Sequence, residues 1–495
     1  MSYRRPVPGA WRAWIAPVLG FIVLAGCSRN PVTGRPEMVL VSTEAEVQAG
    51  REEAEKVEAL MGFADLASAR SYVQRIGKSL AVYSPRSDID YTFDVVDMPE
   101  PNAFALPGGP VYVSRGLLAL ANSEDELAGV IGHEIGHIAA RHVVQRVSVT
   151  APFAILVGIP AAIVGSVSKT LGAVVAAPGA LAGGLVLASH GRGQEKQSDR
   201  IGMDLAAQAG YDPAALARFL ATLQREEELT RGERRRTHFF DSHPATAERV
   251  VDATAYAAGL RRASAAPVAQ GRAGMLRRVD GLLLGENPAA GVFLDNRFVH
   301  PALGFSIDFP HGWQTSNQPR FVVALKSDSD QKVFAVLQQA AEGEDPREGP
   351  KADGIDEKLL PRLEVKHVNG LRTTRLQTRS HGMSYLLAWI AHRGTVYRIA
   401  CVVPDEQWPQ LGPACEAVVG SFVPLSSADR GRIRESRLRV VTATGGERLS
   451  DVLARSGNVW QPEQAAIANA VESAGTRLSA GTPVKVSVSR AYRGR

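Results

Sequence analysis

His133-Glu134-Ile135-Gly136-His137 is the stretch of this chain whose residue types and spacing could do chemistry. Residues four apart on a helix lie nearly one above the other, so the two imidazoles share a face and the carboxylate stands beside the first. Two such nitrogens are ligands for Zn²⁺, and the carboxylate is placed to act as general base on a water that the cation acidifies. The same pattern also suits an ordinary helix with two surface histidines. The context favours the metal. Ser123, with Glu126 three residues on, is a capping-box signature, and Leu127, Val130, Ile131, Ile135 and Ile138 recur at helical spacing. A helix buried in this way has little use for Glu134 unless the carboxylate has a partner.

A third ligand is needed. One extended pattern puts Gly three residues after the second His and a further His three beyond that. Here those positions are Ala140 and Val143, and His142 is one residue short, so that pattern is excluded. The other takes a carboxylate from a later helix. Glu195-Lys196-Gln197-Ser198-Asp199 offers Glu195 as the ligand and, four residues on, Asp199 to accept the second N–H of a ligand histidine. His190 is the rival third ligand, beside Gly191 and Gly193 and without a helical setting.

Several further stretches occur in one order: Asn30 to Ser42, Asn102 to Leu118, Glu124 to His142, Glu195 to Gly202, Gly210-Tyr211-Asp212-Pro213, and Asp241 to Arg249. With these motifs, residues 30 to about 255 resemble the HtpX, CAAX-prenyl-protease and BepA zinc metallopeptidase family, a gluzincin group, and in particular its periplasmic lipoprotein branch. Ser198 departs from the Ala usual in that family. The resemblance implies one Zn²⁺ per chain held by His133, His137 and Glu195, with Glu134 as general base and then proton donor. It implies that Asp199 orients a ligand. His243 and Arg249 would face the zinc and stabilise the oxyanion, and His243 could also block the metal in a resting state. The strand of Asn102, Ala103 and Phe104 would lie along the cleft edge and bind substrate backbone. The implied activity is endopeptidase cleavage of misfolded or misassembled periplasmic and outer-membrane proteins. The alternative is an outer-membrane assembly factor or chaperone with little proteolysis.

The elements that must position these residues imply an α+β protein. At 495 residues the chain is too long for one core. Residues 1–27 read as a lipoprotein signal: Arg4, Arg5 and Arg12, then apolar Ile15 to Leu24, then Leu24-Ala25-Gly26-Cys27. The ending resembles a lipobox, with Cys27 lipidated and the protein anchored on the periplasmic face of the outer membrane. Residues 28–258 form the mainly helical metallopeptidase domain, with a small β-sheet leading into the metal helix. Residues 259–297 read as a linker, because Ala257 to Gly274 lacks an apolar period. Residues 298–424 form an α+β accessory domain, and residues 437–490 resemble a LysM module, whose ligand would be peptidoglycan. Apolar residues 149–188 read as a mobile lid, a membrane hairpin or a buried helical hairpin. Cys401 and Cys415 are free to pair in an oxidising envelope. The net charge of +5 is mild and spread out, and no nucleic-acid module is visible. The partners implied are polypeptide substrates, the membrane and outer-membrane assembly machinery.

Overall fold

A computed structural model of the chain describes residues 27–29, 31–32, 34, 36–38, 41–145, 190–230, 239–244, 247–263, 268–318, 321–326 and 333–494. Residues 1–26 of the leader read over residues 1–27, the apolar stretch 149–188 and Arg231 to Arg236 lie outside the described residues. Among the described residues no helix is long and apolar enough to cross a membrane.

Helix and sheet are mixed throughout. Helices α1 (Thr43–Met61) and α2 (Ala67–Ala81) precede a three-stranded sheet of β1 (Thr92–Val96), β2 (Ala103–Ala105) and β3 (Pro110–Ser114). β3 is central, parallel to β1 and antiparallel to β2, which leaves β2 on an edge. The Pro107-Gly108-Gly109 turn between β2 and β3 needs its glycines. Both have positive φ, and a Cβ on Gly109 would lie 2.3 Å from Asp90 O.

Among the described residues, helices α3 (Arg115–Leu120), α4 (Glu124–Ala139), α5 (Arg192–Gln208), α6 (Ala215–Thr230) and α7 (Ala247–Ala258) follow, with a short helical turn at Phe239–Ser242 before α7. α4 carries the two metal-helix histidines and is central, with every residue but Asp125 buried. Its apolar neighbours include Tyr72, Val73 and Ile76 of α2 and Phe219 and Leu220 of α6.

In the stretch expected as a linker over 259–297, the described residues from 271 on include a helix and strands. Helix α8 (Gly271–Val279) places Met275, Leu276 and Val279 in the same core as α4. Leu283–Leu284 pairs with Ser436 and Arg437, and Val292–Leu294 pairs with Arg297–His300. Those three apolar residues span little more than one turn among Arg and Gly, too short a stripe to register as a period. Their burial depends on a surface that exists only once the rest has folded.

The accessory unit is a seven-stranded antiparallel sheet, with Thr395–Pro404 in the middle of the strand order. Helix Trp408–Gly420 packs on one face, and a Cys401–Cys415 disulfide joins it to the middle strand. The chain ends in β4 (Arg434–Thr442), α9 (Leu449–Arg455), α10 (Pro462–Ala468) and β5 (Pro483–Ala491), with β4 and β5 antiparallel.

Candidate metal centre

Two glycine contacts bring α4 and α5 together. A Cβ on Gly202 would lie 2.5 Å from His133 N, and one on Gly132 would lie 2.8 Å from Gly202 O. With no side chain between them, the backbones approach closely enough for side chains of both helices to meet at one point. The start of α4 is fixed locally. Ser123 Oγ accepts from Glu126 N at 3.1 Å, and Glu126 Oε2 accepts from Asn122 N at 2.7 Å, one residue before the cap.

His133, Glu134 and His137 of α4, Glu195 and Asp199 of α5, His243, and Arg249 of α7 are all buried and in mutual contact. His133 Nε2 lies 3.0 Å from His137 Nε2, 3.5 Å from Glu195 Oε2 and 3.3 Å from His243 Nδ1. Glu195 Oε1 lies 3.3 Å from His137 Nε2 and 3.2 Å from His243 Nδ1. Metal–ligand bonds of about 2.0–2.1 Å in a tetrahedron set neighbouring ligand atoms about 3.3–3.4 Å apart, so the spacing fits one Zn²⁺-sized cation. The chemistry of the set fits too. Three ring nitrogens and a carboxylate aimed at one point offer lone pairs and too few protons to share among them. Glu195, not His190, completes the group with His133, His137 and His243. His190 falls in a second such group with His137 and His142; its ring is tilted 33° to that of His137 with centroids 3.9 Å apart, and its backbone N donates to Ser242 O.

A second layer orients the first. Asp199 Oδ1 lies 2.8 Å from His133 Nδ1, which leaves Nε2 for the metal. Arg249 grips both oxygens of Asp199, at 2.7 and 2.8 Å, and puts Nη1 2.7 Å from Glu195 Oε2. Burial would raise the Asp199 pKa, but the charge and hydrogen bonds of Arg249 outweigh it and hold it below its ordinary value. Glu134 is different. Neither of its oxygens has a hydrogen-bond partner among the described residues, and burial pushes its pKa up against the pull of His243 and His133. His243 Nε2 stands 3.5 Å from Glu134 Oε1, and the His243 ring stacks on Phe239.

His142, considered in the sequence only as a displaced third ligand, lies under His137. Its Nδ1 is 3.0 Å from His137 Nδ1, its Nε2 is 3.1 Å from Gln197 Oε1, and Ser198 Oγ lies 3.3 Å from Nδ1. In a continuous helix a residue five positions on would point well away from His137. α4 ends at Ala139, and Arg141 takes a left-handed conformation, φ 56°, which turns the chain back. The departure from family pattern at Ser198 was the available signal, since that hydroxyl touches His142.

Asn102 and Ala103 to Ala105 lie at the edge of the small sheet, all buried. Ser114 N donates to Asn102 O, and Leu106 N to Pro110 O. By alternation, Ala103 and Ala105 turn their backbone groups to the outer edge. Phe239 N donates to Pro101 O, so the turn that carries His243 leans on the chain just before that edge.

Residues 67–257 match the model of Peptidase family M48. The chain is 34% identical over 183 residues to mitochondrial metalloendopeptidase OMA1 of Schizosaccharomyces pombe, covering 36% of this chain and 50% of that protein. It is 35% identical over 151 residues to metalloprotease LoiP of Escherichia coli K12, covering 30% and 55%. To the beta-barrel assembly-enhancing protease of the same strain it is 29% identical over 187 residues, covering 37% of each. The chain thus spans 37% to 55% of the length of these relatives. Residues 67–257, which hold every residue of the converging group, form a domain of peptidase family M48.

Proposed function

We propose that the chain is a zinc-dependent endopeptidase of the bacterial envelope that hydrolyses peptide bonds in misfolded or misassembled periplasmic and outer-membrane proteins. The observation that carries this reading is the buried convergence of His133, His137, Glu195 and His243 beside a Glu134 carboxylate without a hydrogen-bond partner. When bound, the cation supplies Lewis acidity, acidifying water and polarising the scissile carbonyl. Glu134 takes the proton of the attacking water, since burial has made it a stronger base. The same carboxyl then gives that proton to the leaving amine. Asp199 and His142 hold His133 and His137 in the ring orientation that points Nε2 into the site. Arg249 holds Glu195 and Asp199 in place and sets a positive charge behind them. With a cation bound, His243 would serve as a further ligand that closes the site at rest, and once displaced by substrate its imidazole would face the oxyanion; its place beside His133 and Glu195 supports this.

The outward backbone groups of Ala103 and Ala105 support binding of an extended polypeptide as an added strand, with Asn102 and Phe104 beside it. The Leu24-Ala25-Gly26-Cys27 ending supports a lipid anchor at Cys27, and the Cys401–Cys415 disulfide supports an oxidising compartment. The names of the beta-barrel assembly-enhancing relatives support envelope substrates. On its sequence, the C-terminal unit is read as LysM-like with peptidoglycan as ligand, and assembly machinery is a further partner.

The test is casein digestion by the purified chain, with chelator, with Zn²⁺ returned, and with Glu134→Gln. Turnover that chelator abolishes and Zn²⁺ restores, and that Glu134→Gln lacks while retaining metal, supports the reading. Metal-loaded wild type that leaves casein intact rejects it and favours the chaperone alternative.

A further inference from the structure

Lys485 is a lysine with no exposed surface. It stands on β5, in the C-terminal unit, yet its Nζ lies 2.8 Å from Ala119 O, 2.9 Å from Leu120 O and 2.9 Å from Ala121 O in the peptidase domain. These carbonyls close α3, where a helix leaves its last acceptors without internal donors. Burial and the charge of Arg272 push the Lys485 pKa well below its usual value, and Glu126 pulls it back up. The geometry selects the charged form. An amine has two N–H groups, an ammonium has three, and three carbonyls are in reach.

The contact continues in both directions. On the C-terminal side, Lys485 N donates to Asn469 Oδ1 at 2.8 Å, and Asn469 Nδ2 donates to Lys485 O at 2.8 Å. Arg272 of α8 bridges Asn469 Oδ1 and Asn122 Oδ1. On the peptidase side, Asn122 Nδ2 donates to Leu120 O at 2.9 Å, and Asn122 N donates to Glu126 Oε2 in the first turn of α4. A hydrogen-bonded path therefore runs from β5 to the start of the helix that carries His133 and His137. Apolar contacts accompany it, since Leu438 of β4 and Ile467 of α10 belong to the core that surrounds α4. Arg225 of α6 adds two bonds to Val471 O and Glu472 O, at 2.9 and 3.1 Å.

We infer that the C-terminal unit is a fixed part of the scaffold of the metal centre, and that Lys485 is the positioning residue through which it holds the corner between α3 and α4. A tethered module that binds its own ligand would need no buried cation in the peptidase domain. A clamp on the start of α4 does. His133 lies two turns beyond Glu126 on an unbroken helix, so a shift at the corner is carried to the ligand set. The link to metal binding rests on the proposed metal centre; the link to the corner does not.

The experiment uses the full chain with Lys485→Met, which keeps an unbranched side chain one atom shorter and removes the three donors, and with Arg225→Ala, which loosens docking away from the corner. Hydrogen exchange by mass spectrometry follows residues 117–127, with the paired strands β4 and β5 as the check on folding. Cobalt affinity is read from the Co²⁺ absorption spectrum. Lys485→Met should speed exchange over 117–127 by about tenfold or more, because three buried carbonyls lose their donor, and weaken Co²⁺ binding in parallel. Arg225→Ala should do the same to a smaller degree. Unchanged exchange over 117–127 with an intact β4–β5 pair overturns the inference, and so does faster exchange with unaltered cobalt affinity and spectrum. If Lys485→Met does not fold, Arg225→Ala decides by the same two readouts. If the wild type takes up no cobalt, the metal reading has failed, and the exchange result alone judges Lys485.

Discussion

Two of the clusters of buried charge among the described residues differ in how they are satisfied. In the accessory sheet, Arg398 Nη1 lies 2.6 Å from Asp353 Oδ1, and Trp389 Nε1 donates to Asp353 Oδ2 at 2.6 Å. That cation, carboxylate and indole N–H pair with one another, although Arg398 Nε has no hydrogen-bond partner among the described residues. In the peptidase domain, Glu134, Glu195 and Asp199 gather round three histidines with one guanidinium, and one atom each of His133, His137, Glu195 and His243 converges on a point. Burial of charge is common to both. What marks the metal centre is a surplus of acceptors aimed at one place, together with a carboxylate that has no hydrogen-bond partner among the described residues.

The sharpest break of that comparison is at Glu195. Glu195→Ala should lose most of about one Zn²⁺ per chain, and turnover with it. Metal analysis showing unchanged zinc would remove Glu195 from the site and turn attention to His190. The counterpart in the accessory sheet is Arg398→Met, which strands the Asp353 carboxylate. It should cost about 3–5 kcal/mol in denaturant unfolding while zinc content stays at the wild-type level. Zinc loss in that variant would mean that the two clusters are not independent. Next in size is His243→Ala. Casein turnover should fall about 10²-fold from the loss of an oxyanion partner, while X-ray absorption shows one nitrogen fewer around the metal. Identical coordination would sink the resting cap, and unchanged turnover the catalytic role. Gly202→Ala probes the spacing of the helices. With its Cβ 2.5 Å from His133 N, it should destabilise the fold by about 1–3 kcal/mol and weaken zinc binding, measured by thermal unfolding and chelator competition. The smallest effect on chemistry is expected from Cys27→Ser, which should release the protein from membranes and leave casein turnover intact. Fractionation that still finds it in the outer membrane would reject the lipid anchor.

Much of the site was legible because its parts are local. His133, Glu134 and His137 are set by one helical repeat, and Glu195 and Asp199 by another. The strand at 103–105 and its turn could be read from alternation and two glycines. The guanidinium of Arg249 was less legible. Expected to face the oxyanion, it spans Asp199 and Glu195, because two buried carboxylates close by outcompete an open position. α8 was missed because its burial needs the finished core.

The residue order by itself determined which side chains share a helix face, since that follows from a 3.6-residue period and a cap at Ser123. Only the tertiary structure decided which faces meet. The approach of Gly132 to Gly202, the return of His142 at Arg141 and the reach of Lys485 to Ala119 each join residues through packing or a single backbone dihedral. Periodicity is a property of neighbours along the chain. Convergence at one point is a property of distances between helices, and the 110 positions from His133 to His243 are no more visible in the letters than the 366 from Ala119 to Lys485.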